Sequence, residues 1–142
     1  MDTSELKSSA RDSLETLYDI AEKIESALAD QDDYWTWAGF YKDKKDELMP
    51  VKDRGQEAVQ RLQESVEGLR EQVSSGDYDD LFREIDERKE NVRAVVDEIR
   101  DSASLKTVAV NGEKLADLLE DLLDRFRKTS ESVEDLLSKL EE

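Results

Sequence analysis

The sequence contains neither cysteine nor histidine. The absence of cysteine excludes disulfide bonds, a thiol nucleophile and thiolate-held metal ions. The absence of histidine excludes Ser-His-Asp and Cys-His catalysis, imidazole acid–base chemistry, His-ligated zinc and the Glu-x-x-His pairs of di-iron bundles. We therefore predict that the protein is not an enzyme and that it has no catalytic residue, no metal site and no cofactor.

Proline and glycine are scarce, with one proline and five glycines among 142 residues. Because these two residues interrupt regular structure most strongly, their scarcity favours long helices. Long apolar runs are missing too: none approaches the ~18 residues of a membrane span. The acidic start of the chain also lacks the apolar core of a signal peptide. We therefore expect the protein in the cytoplasm, or assembled into a particle.

Acidic residues outnumber basic ones by 38 to 21, which gives a formal net charge of −17. This balance argues against direct nucleic-acid binding, because phosphate contacts need clustered Lys and Arg. It argues equally against a polybasic grip on anionic lipid. Three interpretations remain: a solvated helical surface, an adaptation to high salt, or imitation of the DNA backbone. Some carboxylates share single helical faces, where like charges repel, so a bound divalent cation in a carboxylate-metal enzyme is an alternative. We interpret these residues instead as solvated faces; they are Glu84, Glu87, Asp117, Glu120, Asp121 and Asp124.

What the sequence does contain is a regular alternation of apolar spacings of three and four residues. The pattern is longest near the end of the chain, where eleven positions from Leu105 to Leu140 keep it and nine of them are apolar. Such spacing places the apolar side chains on one face of a helix. Extra columns of apolar residues widen the face beyond a two-stranded seam, which is typical of a helical bundle.

From this pattern we predict helices over about 4–29, 51–73, 77–102 and 105–140. Pro50 marks the start of the second helix, because proline disfavours helical geometry in the preceding residue and fits the first helical position. Gly112 keeps the register of the fourth helix, so a continuous helix is expected there. The β-branched residues of 107–110 and the Asn111-Gly112 pair also suit a short extended piece and a turn.

An aromatic segment over 34–48 separates the first two helices. Five of the nine aromatic residues of the chain lie within 34–41, and the sequence leaves open whether that stretch is helical or extended. Trp37 and Tyr41 fall on the better apolar stripe, so we predict that they are core aromatics. The remaining aromatics and the adjacent lysines form the predicted partner-binding surface; these residues are Trp35, Phe40, Lys42, Lys44 and Lys45.

These observations together predict an all-α protein: an antiparallel, coiled-coil-like bundle of four long helices plus the short aromatic segment, in a single domain over 1–142. The predicted function is structural or adaptor-like, through association with a protein partner or a second copy, and a viral or other large assembly would suit it. One alternative is an acidic DNA mimic that inhibits a nucleic-acid-binding protein. A second alternative is a membrane-surface protein that uses the aromatic segment.

Overall fold

The computed structural model describes residues 3–73, 76–102 and 105–141. It contains four long α-helices: α1 (Thr3–Ala29), α2 (Trp37–Gln72), α3 (Asp79–Ser102) and α4 (Leu105–Glu141). Short 3-10 turns occupy Asp30–Asp33 and Gly76–Tyr78, and no strand occurs in the described ranges. The predicted all-α bundle is therefore confirmed. The single domain over 1–142 stays a prediction, and it includes residues 1–2, 74–75, 103–104 and 142, which lie outside the described ranges.

Helix α1 packs antiparallel against α2 and α4. The hydroxyl of Ser65, near the end of α2, donates to the hydroxyl of Ser9, near the start of α1, at 3.1 Å. Lys7 Nζ donates to the carbonyl oxygen of Leu140 at 3.5 Å, near the end of α4. Helix α3 packs between α2 and α4 from the opposite side. The four helices thus run alternately up and down, and α2 and α4 form a parallel diagonal pair across the bundle.

The diagonal pair makes close contact at two glycines. A Cβ atom added to Gly55 of α2 would lie within 3 Å of the ring of Phe126 in α4. A Cβ atom added to Gly112 of α4 would lie within 3 Å of Trp37 Cβ in α2. Real Cβ atoms almost never come so close to another atom. The absence of a side chain at these positions is therefore what lets the two long helices meet across the core.

The predicted apolar stripes form this core. In α4, every stripe position from Val108 to Leu136 is buried, while the Leu105 side chain lies outside the description. All three phenylalanines are buried as well. Burial of a large apolar side chain contributes about 1.5–3 kcal/mol, so the periodic stripes are the main source of stability. Thr129 and Ser130 are also buried on α4, and each hydroxyl donates to the carbonyl oxygen four residues earlier.

The predicted helix boundary at Pro50 is wrong. Helix α2 begins at Trp37 and passes through Pro50 to Gln72, so the segment 37–48 and the predicted helix 51–73 are one element of 36 residues. A proline inside a helix costs about 3 kcal/mol, because it removes one hydrogen bond and crowds the preceding turn. Leu48 and Val51 are both buried on either side of Pro50, and this packing outweighs the local cost.

The fourth helix is also less regular than predicted. Asn111 has φ −148° and ψ 66°, which is not helical, so a kink divides α4 into 105–110 and 112–141. The prediction of an unbroken helix is wrong at this one residue, because Trp37 fills the space beside Gly112. The alternative of an extended piece over 107–110 is also wrong, because these residues are helical. Smaller corrections apply to α3, which begins at Asp79 rather than at 77.

Candidate partner-binding site at the aromatic end

The aromatic end of the bundle comprises residues 34–41 and 108–112. Tyr34 has an extended backbone, with φ −110° and ψ 140°, and Thr36 follows with φ −135° and ψ 153°. The Thr36 hydroxyl oxygen accepts a hydrogen bond from the Gly39 backbone amide at 3.0 Å, so Thr36 is the N-cap of α2. An N-cap satisfies an amide that the helix itself leaves without a partner. The stretch 34–36 is therefore an extended linker, and the helix begins directly after it.

Phe40 lies in the core of this end and not on its surface. Phe40 is 2% exposed, and its ring packs edge-to-face with the rings of Tyr34 and Trp37, at centroid distances of 5.6 Å and 6.3 Å. Such edge-to-face pairs add about 0.5–1.5 kcal/mol to the burial itself. The prediction that Phe40 belongs to an exposed contact surface is wrong. Tyr41 is buried, and Trp37 is partly buried against the core.

The buried position of Phe40 follows from a helical spacing pattern that continues past Pro50. Positions Phe40, Lys44, Leu48, Val51 and Gly55 follow one another at spacings of four, four, three and four. All but Lys44 are buried, and the Lys44 side chain is 17% exposed. A helix that starts at 37 and ignores the proline puts Phe40 on the inner face. The stripe is hard to recognise in the sequence, because Lys44 occupies one of its positions and Pro50 interrupts it.

Two large apolar side chains, those of Trp35 and Val110, are exposed at the same end. The Trp35 side chain is fully exposed at 102%, and Val110 is 85% exposed. Each lies two residues before a member of the close Trp37–Gly112 contact, so each is within about 7 Å of that contact along the chain. In the described ranges only one other large apolar residue, Tyr18 at 39%, is classed as exposed. We call Trp35 and Val110 together the Trp35–Val110 patch.

One side-chain contact holds the linker against α2, and a second holds the preceding 3-10 turn against the same helix. The Tyr34 hydroxyl donates to the carboxylate of Asp43, and this hydrogen bond raises the pKa of Tyr34 above its ordinary value. Lys44 Nζ forms an ion pair with Asp30 at 2.9 Å, and its hydrogen bond to that carboxylate raises the pKa of Lys44. Asp30 and Tyr34 both precede Trp35 in the chain, and their partners Lys44 and Asp43 both lie on α2. The linker is therefore tethered where it presents the Trp35 side chain.

The three lysines predicted for the partner-binding surface do not have equal surroundings. Lys44 is mostly covered and paired with Asp30. Lys42 and Lys45 are exposed, and neither makes an ion pair with any residue that the structure describes. The structure thus brings Trp35, Val110 and two free ammonium groups to one end of the bundle. Val110 was not predicted from the sequence as a surface residue of this end. It lies on α4 but outside its buried stripe, and spacing alone gives no reason to single it out.

Among the described residues, no group of three or more carboxylates is placed to hold a metal ion. No described helix is long and apolar enough to cross a bilayer. What the aromatic end presents is an indole on a tethered linker with lysines nearby. Comparison with protein-family models, with curated proteins and with solved structures finds no match to this chain.

Proposed function

We propose that the protein is a non-enzymatic structural or adaptor protein, and that it binds a protein partner through the Trp35–Val110 patch. The observation that carries this proposal is the complete exposure of the Trp35 side chain on a linker tethered by Tyr34 and Lys44. Exposed indole surface in water is unfavourable, and tryptophan is among the residues that contribute most to binding at protein interfaces.

The tethered linker supports the proposal energetically. Ordering a flexible segment on binding costs about 0.5–1.5 kcal/mol for each immobilised side chain. Here the Thr36 cap, the Tyr34–Asp43 hydrogen bond and the Lys44–Asp30 ion pair restrict the segment before any partner arrives. A partner would therefore gain the burial of Trp35 and Val110 without paying the full cost of ordering the backbone.

The charge of the chain indicates which partner surfaces it would attract. A net charge of −17 steers basic surfaces toward the bundle and repels acidic ones. The lysines beside the patch, Lys42 and Lys45, add local positive charges. We propose an apolar pocket with a mixed-charge rim as the complementary surface, on a protein in the cytoplasm or within an assembled particle.

The test combines light scattering with cross-linking from the patch. A photoreactive phenylalanine analogue at position 35 should cross-link to one protein surface in the native cells, and Val110→Ser should reduce that product several-fold. Size-exclusion with light scattering then decides whether the partner is a second copy. The control is Tyr18→Ser, which removes an aromatic side chain of α1 that is 39% exposed; because this change also removes the hydrogen bond to Glu134, circular dichroism first verifies that the variant is folded. Cross-linking that is spread over many proteins and unchanged by Val110→Ser would contradict the proposal.

A further inference from the structure

A polar groove separates α2 from α3, about midway along the bundle. Its volume is about 650 Å³, within the range of roughly 300–1,000 Å³ that small-molecule sites occupy. Helix α2 contributes Asp53, Gln56, Glu57 and Gln60, and Val59 lies at its base. These α2 positions are spaced by three, one and three residues and share one helical face.

Basic residues of α3 concentrate on its side of this groove. The helix carries nine acidic and five basic residues. Three of the five basic residues line the groove, and only one of the nine acidic residues does. The lining residues from α3 are Lys89, Arg93, Asp97 and Arg100. The α3 wall of the groove is therefore net basic, and with Asp53 and Glu57 of α2 the complete lining carries three basic and three acidic side chains.

One of the three cations is already neutralised. Arg100 Nη2 lies 2.6 Å from Asp53, and Arg100 Nη1 lies 3.2 Å from Asp97. Arg100 also donates to the Gln56 side-chain oxygen at 3.3 Å. These contacts occupy the two carboxylates at that end of the groove. Arg100 and its partners are therefore the structural wall of the groove.

The other two cations have no carboxylate partner. Lys89 Nζ reaches only the side-chain oxygen of Gln63, at 3.4 Å. Arg93 makes no hydrogen bond or ion pair with any residue in 3–73, 76–102 or 105–141, and the same holds for Gln60. The Glu57 carboxylate also lines the groove and pairs, at 4.0 Å, with Arg61 of its own helix. Two positive charges and an amide therefore face the groove without an ion pair of their own.

We propose that this groove binds a small oxyanion that carries two or more negative charges, held by Arg93 and Lys89. The guanidinium of Arg93 offers paired N–H donors that match the geometry of a phosphate or carboxylate group. Lys89, one helical turn away on the same face, neutralises a second charge. Gln60 adds a neutral hydrogen-bonding group from α2. Phosphate monoesters and small di- or tricarboxylates share this chemistry.

The negative charge of the chain does not prevent such binding. At an ionic strength near 0.15 M, exposed charges are screened beyond about 8 Å. The anion in the groove would contact Arg93 and Lys89 directly, while most carboxylates of the chain lie on other helical faces. Long-range repulsion would slow the approach of the anion at low salt. The binding measurement therefore belongs at physiological ionic strength.

The test is an NMR titration of the full chain with inorganic phosphate and, separately, with citrate. At constant ionic strength, we expect saturable shifts of the backbone amides of Gln60, Lys89 and Arg93. Arg93→Gln should weaken binding roughly ten-fold or more, as for the loss of a charge-assisted hydrogen bond, and Lys89→Gln should weaken it less. Saturation by phosphate but not by citrate would assign the phosphate class, and the reverse would assign the carboxylates.

Arg83→Gln is the matched control. Arg83 lies on the same helix, is well exposed and pairs with Asp80 outside the groove, so its loss changes the net charge equally and should leave the affinity unchanged. The side chains of Arg83 and Arg93 are both exposed. An amide spectrum that matches the unsubstituted protein away from the substituted residue verifies that each variant is folded. Equal weakening by Arg83→Gln and Arg93→Gln, or shifts that never saturate, would overturn the proposal. This inference is independent of the Trp35–Val110 patch.

Discussion

The body of the bundle and its aromatic end bury similar side chains by different means. In the body, buried residues recur at helical spacing, and Phe126 fits over Gly55 between two long helices. At the aromatic end, burial depends on an N-cap at Thr36, an extended linker and a kink at Asn111. A periodic interface is supported by packing on every side, whereas the aromatic end depends on a few local contacts. We therefore expect substitutions in the body to act on global stability and those at the end to act locally.

The largest expected difference concerns two equally buried phenylalanines. Phe126→Ala should reduce the free energy of unfolding by about 3–5 kcal/mol, because it leaves a cavity between helices that cannot close. Phe40→Ala should cost less, about 2–3 kcal/mol, because the end of the bundle can collapse around the smaller residue. Urea unfolding of both variants gives the comparison. An equal or larger loss for Phe40→Ala would show that the end is packed as rigidly as the body.

The two diagonal glycines give the next contrast. Gly55→Ala gains up to about 1 kcal/mol of helix propensity but pushes a Cβ atom into the buried Phe126 ring, so we expect a net loss of about 1–2 kcal/mol. Gly112→Ala meets Trp37 near the first turn of α2 and beside the kink. The added Cβ atom would overlap Trp37 Cβ, so the first turn of α2 must shift. Because that turn is at a helix end, we expect a loss of about 1 kcal/mol, smaller than for Gly55→Ala, with amide shifts confined to the aromatic end.

Gly68→Ala is the control for both glycine variants. A Cβ atom at Gly68 would approach Leu6 Cδ2 at 2.8 Å, which is the far end of a flexible side chain near the helix termini. Leu6 can turn aside, so the gain in helix propensity should leave stability nearly unchanged. If Gly112→Ala lowered the unfolding midpoint as much as Gly55→Ala, the distinction between end and body would be wrong.

A smaller effect is expected at the N-cap of α2. Thr36→Ala removes the acceptor for the Gly39 amide and should cost about 1 kcal/mol. Hydrogen exchange at Gly39 should accelerate correspondingly, because that amide then lacks an acceptor in the protein. Thr16→Ala is the matched control: the Thr16 hydroxyl only donates to the Asp12 carbonyl at 3.1 Å, so its removal should change stability by less than about 0.5 kcal/mol. Unchanged exchange at Gly39 would show that the cap contributes nothing.

The same contrast explains which features the sequence predicts. Helix positions and buried columns in the body follow from spacing alone, because apolar residues at regular intervals of three and four all fall on one helical face. The aromatic end fails this reasoning at specific residues. Phe40 is assigned to the wrong face because Pro50 hides the continuity of α2, and Asn111 departs from helical geometry because Trp37 comes from a distant part of the chain. Tertiary contacts override local preference at these positions.

The pKa values of two tyrosines, Tyr18 in the body and Tyr34 at the aromatic end, are raised for different reasons. Tyr18 of the body donates to the carboxylate of Glu134 across α1 and α4. Burial, followed by that hydrogen bond and the charges of Glu134 and Glu131, raises the pKa of Tyr18 to about 12. The hydrogen bond to Asp43 is the largest cause of the raised pKa of Tyr34 at the aromatic end. Tyr18 thus owes its shift mainly to packing, and Tyr34 owes its shift mainly to one exposed contact.

The sign of the linkage follows from the raised pKa. Stability from the protonated Tyr18 hydroxyl is fully present below the ordinary tyrosine pKa of about 10 and is lost as the pH rises through about 12. Ring-carbon NMR at pH 11 should therefore show Tyr18 still largely protonated, and Tyr18→Phe should remove that signal. Asp43→Asn should move the Tyr34 titration toward its ordinary range and leave Tyr18 unchanged. A Tyr18 ring that ionises near pH 10 would mean that the contact between α1 and α4 at this position is open to water, and the body would then be no tighter than the end.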